Sequence, residues 1–152
     1  MEKLKMNRLR KGISIYNIFG GVLFIILFAI SCLQSDGSWN LKNKIIFSYS
    51  VIYYLALIIF GFLFLKNRSN YKILFILNLC QLLVLSSYEL KYASTNGFAF
   101  VIYLSDTFDL NFYFNLFPEF HVIQNNIKNG SFIGINMTCL ITLYCLLLFR
   151  KR

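Results

Sequence analysis

Four long apolar runs, separated by charged breaks, organise this chain: 13–33, 45–65, 73–90 and 132–149. A helix rises about 1.5 Å per residue, so each run can cross a hydrocarbon core of about 30 Å. The pattern predicts an all-α integral membrane fold. It would be a single domain over 1–152: a four-transmembrane-helix bundle with an ordered extracytoplasmic segment, about 91–131, between helices three and four.

Composition strengthens that expectation. The chain is 58% hydrophobic and 14% charged, against about 25% charged in an ordinary soluble domain. The net charge of +9 would suggest nucleic acid in a soluble protein, but its placement suggests topology. Lys3, Lys5, Arg8, Arg10, Lys11, Lys66, Arg68, Lys72, Arg150, Lys151 and Arg152 fall on one side if each run crosses once. Lys42, Lys44, Lys91 and Lys128 fall on the other. Eleven against four is a positive-inside bias, which places both termini in the cytoplasm of a multi-pass cell-membrane protein. The bilayer is then the first partner, and nucleic acid is excluded. A bias toward Ile, Phe, Asn, Lys and Tyr, with a single Pro, is typical of AT-rich bacterial genomes.

The polar positions inside the runs qualify the picture. Asn17 and Gly21 lie one helical turn apart, so a close-packed strip of the first run should face another helix. The third run is the most polar. Asn78, Gln81 and Glu89 share one helical face, a candidate intramembrane polar face. Amides do not face lipid cheaply, so this face should point into the bundle. The basic and apolar start resembles a signal peptide, and it is read as a retained span.

The segment 91–131 is too long for a structureless loop. Phe98, Phe100, Ile102 and Leu104, then Phe108, Leu110, Phe112, Phe114 and Leu116, hold period-two positions. That is a strand pattern, with a turn near Ser105-Asp106-Thr107. Ala99, Val101, Tyr103 and Tyr113 blur the alternation, and Phe108, Phe112, Leu116 and Phe120 also suit a surface helix. A helical or re-entrant element is the preferred reading, with a hairpin as the alternative. Either form is too apolar to stand in water uncovered. Its candidate partner-binding residues are Asp106, Phe108, Asp109, Phe112, Phe117, Glu119 and His121.

Catalytic chemistry finds few footholds. Cys32, Cys80, Cys139 and Cys145 form no Cys-x-x-Cys pair. The only histidine, His121, has one neighbouring carboxylate, Glu119, too few ligands for a metal site. No run contains Asp or His, and only Glu89 supplies a carboxylate. No metal, cofactor or catalytic residue is therefore assigned, and an enzyme is not the favoured reading. The favoured one is an accessory or binding subunit of a membrane complex, acting through its outer segment on another membrane protein or a second copy of itself. The alternatives are an immunity-type membrane protein, a small-solute transporter or channel, and a membrane enzyme acting on a lipid or quinone.

Overall fold

A computed structural model describes residues 2–34, 41–87, 90–124 and 131–150. Two helices open the chain, α1 (Glu2–Gln34) and α2 (Leu41–Lys66). A single 3-10 turn (Arg68–Asn70) leads into a short α3 (Tyr71–Leu79). Six strands follow: β1 (Leu83–Ser86), β2 (Leu90–Thr95), β3 (Ala99–Ser105), β4 (Leu110–Asn115), β5 (Glu119–Gln124) and β6 (Phe132–Asn136). The last element is α4 (Met137–Leu147).

This mixed α/β fold overturns the four-helix expectation. The first two apolar runs are helices, and among the described residues only these two are long and apolar enough to cross a membrane. The third run breaks into α3 and β1, and the fourth into β6 and α4. A short apolar stretch has no period of its own that separates a buried helix from a central strand. Here sheet pairing decides: β1 lies between β2 and β6, and β6 lies between β1 and β3. The switch from β6 to α4 falls on Asn136, whose side chain accepts from the Cys139 N–H as an N-cap. The multi-pass topology, the cytoplasmic placement of both termini and the bilayer as a partner all rested on four spans, so they fall with it. The accessory, immunity, transport and lipid- or quinone-enzyme readings, and a membrane-protein or self-association partner, lose the same support.

The helices form one layer. Gly21 of α1 lies against Tyr54 and Ile58 of α2, where a Cβ would come 2.6 Å from the Ile58 Cγ1. Gly61 of α2 makes the reciprocal approach to Ile18, at 2.8 Å. The strip of Asn17 and Gly21 thus faces another helix, as its spacing suggests. Phe24 stacks on Tyr54 with ring centroids 3.8 Å apart, and Phe64 meets Phe149 edge-on. Ile13, Tyr54, Leu57, Phe64, Leu74, Leu146 and Phe149 close the core of this layer. Each such side chain contributes about 1.5–3 kcal/mol by leaving water.

The sheet is antiparallel throughout, in the order β4-β3-β6-β1-β2-β5. Its inner face buries Val84, Ala93, Ala99 and Val101, with Tyr113 and Phe132 packed beside them. The opposite face is apolar too. Leu110, Phe112, Phe114, Leu104, Ile133, Ile135 and Leu83 are all exposed there.

Candidate functional site

Two features concentrate the polar chemistry. The first is a buried amide cluster between the layers. Asn17, Asn78, Asn96 and Asn136 are fully buried. The Asn17 Oδ1 accepts from Asn78 Nδ2 at 3.0 Å and from Asn96 Nδ2 at 3.4 Å. Asn17 and Asn78 also donate to the carbonyls of Ile13 and Leu74, one turn back in their own helices. Asn96 donates to the Tyr16 carbonyl at 3.3 Å. Its approach requires Gly20, because a Cβ there would collide with the Asn96 amide. The Cys139 thiol donates to the Asn78 carbonyl at 2.8 Å. Four parts of the chain therefore meet here: α1, α3, the β2–β3 turn and α4.

Tyrosines extend the cluster toward the sheet. The Tyr54 hydroxyl lies 2.6 Å from the Thr95 carbonyl and 2.9 Å from that of Glu119. Tyr53 donates to the Leu77 carbonyl at 2.7 Å, and its hydroxyl lies beside Gln81 and Ser94. Burial pushes both phenols up, Tyr53 and Tyr54 alike. Burial, then Cys80, pushes the Cys139 thiol up to about 12. These three groups are neutral near pH 7. Among the described residues no three His, Cys, Asp or Glu side chains gather as a metal site.

The second feature is the β3–β4 hairpin, which replaces the preferred helical or re-entrant element. Ile102 pairs with Phe112 and Leu104 with Leu110, so the period-two positions share the outer face. The loop 105–109 closes through Ser105 N–H to the Asp109 carbonyl (3.1 Å) and Phe108 N–H to the Ser105 carbonyl (3.0 Å). Thr107 donates to the Asp109 carboxylate at 2.6 Å, and the Asp109 N–H donates to Ser105 Oγ at 3.1 Å. The Asp106 N–H reaches the Ser131 carbonyl. Phe108 takes the left-handed conformation, φ 62, and its side chain is 83% exposed.

The residues singled out from the sequence divide between these features. Asp106, Phe108, Asp109 and Phe112 gather on the hairpin, all exposed. Phe117 follows β4, also exposed, and its N–H donates to the Asn115 side chain. Glu119 and His121 lie on β5 at the other edge of the sheet, where they pair with Thr95 and Ala93. Only the backbone of His121 is described. The Glu119 charge is still felt at Tyr113 on β4, whose phenol is pushed up to about 12 by burial first and Glu119 second. Asn78 and Gln81 are both fully buried, and Glu89 lies outside the described residues. The sequence reading missed Asn96 and Asn136, whose roles depend on a turn and a strand–helix junction that it did not foresee. Compared with known protein families, curated proteins and solved structures, the chain matches none.

Proposed function

We propose that this protein is a recognition module that binds an extended segment of a partner polypeptide along β4. The observation that carries the reading is an edge strand that, among the described residues, pairs on one side only. Strand β4, Leu110–Asn115, ends the sheet and contains neither charge nor proline. Natural edge strands are usually blunted by Lys, Pro or a bulge, because their unpaired N–H and C=O groups template further pairing. Beside this edge, the outer face of β4 presents Leu110, Phe112 and Phe114 as an exposed row. Strand addition fits such a surface: main-chain bonds supply affinity and the row selects alternate apolar side chains.

The tip sets direction and chemistry. Phe108 stands out from the loop as an aromatic anchor, with the carboxylates of Asp106 and Asp109 beside it in sequence. The segment that suits this site alternates apolar and polar residues and carries Lys or Arg where it meets the tip. Phe117, exposed just past the end of β4, is a further apolar contact in this reading. Glu119 and His121, on β5, follow β4 after only three residues and are peripheral contacts in this reading.

The test is a selection of peptides on the full chain, followed by hydrogen exchange with and without the selected peptide. Amides of 110–115 should gain protection, and Phe112→Lys with Phe114→Lys should abolish capture. Protection confined to other elements, or capture unchanged by the double variant, would remove the reading.

A further inference from the structure

A cleft of about 480 Å³ runs between α1 and α4. Its walls are Leu9, Ile13, Tyr16, Ile141 and Cys145, with Lys5 and Arg8 at one end. The α1 residues recur at helical spacing, so one face of that helix changes from cationic to apolar along its length. From Lys5 to Tyr16 the cleft follows eleven residues of helix, about 16 Å. Among the described residues no acidic side chain lines it. At the far end the Tyr16 hydroxyl donates to the Phe98 carbonyl, which holds that wall in place. Gly12 forms part of the lining, and a Cβ built on it would meet nothing within 4 Å.

We infer that this cleft binds a single-chain anionic amphiphile, with a carboxylate or phosphate head on Lys5 and Arg8 and its alkyl chain along Ile13, Tyr16 and Ile141. The volume falls in the range of small-molecule sites, which are mostly apolar with a few placed polar groups. The charge pattern selects the head. Two cations at one end of a cleft that is otherwise mostly apolar, Thr142 being the polar exception besides the Tyr16 hydroxyl, match one anion joined to one hydrocarbon chain. A neutral amphiphile would leave the charges unused, and a bare anion would leave the apolar length empty. The missing side chain at Gly12 is what leaves room for the chain. The inference does not rest on the β4 reading, since it uses none of the same residues.

The experiment is native mass spectrometry of the full chain released from a neutral maltoside, with dodecyl phosphate, inorganic phosphate and the maltoside itself as probes. One dodecyl phosphate per chain is expected, with neither of the other two retained. Lys5→Glu with Arg8→Glu should lower its occupancy at least tenfold, and Gly12→Phe should remove it by filling the cleft. Circular dichroism of each variant establishes that the fold persists, and the charge pair decides the matter if Gly12→Phe does not fold. Equal retention of the maltoside, several equivalent dodecyl phosphates per chain, or occupancy indifferent to both variants would overturn the proposal.

Discussion

Phe108 holds the left-handed backbone region, where a Cβ costs about 1–2 kcal/mol. Its ring is 83% exposed, so little burial offsets that cost. Glycine would suit the turn better, and Phe108→Gly should raise stability by about 1 kcal/mol in a thermal melt. If the aromatic is retained for recognition, the same variant should weaken peptide capture about tenfold or more. A melt that is unchanged or lowered would show that the turn does not strain this residue. Asn136 makes the complementary case, a residue that suits its place. Its side chain caps α4 at the point where β6 ends. Asn136→Ala should cost about 1 kcal/mol or more, and Asn136→Ser should restore most of it, because a serine oxygen can also accept from the first turn. Chemical denaturation of the three proteins separates those outcomes.

At the scale of elements, α1 meets α3 in the apolar core and through a bond between amides, Asn78 Nδ2 to Asn17 Oδ1. Removing one partner leaves a buried polar group unsatisfied, about 1–3 kcal/mol, whereas replacing both with apolar groups can be nearly neutral. Asn78→Leu should therefore destabilise more than the double variant Asn17→Leu with Asn78→Leu does beyond Asn17→Leu alone. Strict additivity in that cycle would show that the two amides do not act together. The sequence made part of this legible. Asn17 with Gly21 marked the contact face of α1, and the polar positions Asn78 and Gln81 are both buried. The splitting of the third and fourth apolar runs was not legible, because Leu83–Ser86 and Phe132–Asn136 are apolar enough to continue a helix. Their strand state depends on partners distant in sequence, such as Ile102 opposite Ile135. The hairpin was half legible. Phe100, Ile102 and Leu104 gave the alternation, and Ala99 and Val101 concealed it because the inner face of β3 is buried as well. A strand apolar on both faces loses the period that would identify it.

Across the whole molecule, one buried and two half-buried phenols join the helical layer to the sheet. Tyr54 links α2 to the Thr95 carbonyl on β2 and the Glu119 carbonyl on β5, and Tyr16 links α1 to the Phe98 carbonyl ahead of β3. Tyr92 of β2 reaches back to the Cys80 carbonyl at the end of α3. Each of these phenols is held neutral, burial being the first cause, and Tyr92 is pushed up to about 12. An unfolded chain would ionise the same groups near the ordinary tyrosine value of 10.0. Above that pH the folded state keeps protons that the unfolded state releases, so stability must fall as pH rises. The contribution is complete below pH 10 and is lost progressively as pH climbs toward and past 12. Thermal melts across this range, with tyrosinate absorbance recorded in parallel, should show a stable plateau, then a falling midpoint with ionisation coupled to unfolding. Tyr54→Phe should lower the plateau by the loss of its hydrogen bonding, about 1–3 kcal/mol, and make the alkaline slope shallower, since phenylalanine has no proton to lose. If ionisation instead proceeds smoothly in the native state, with no change in melting midpoint, the phenols are open to solvent and the two layers are not joined through them.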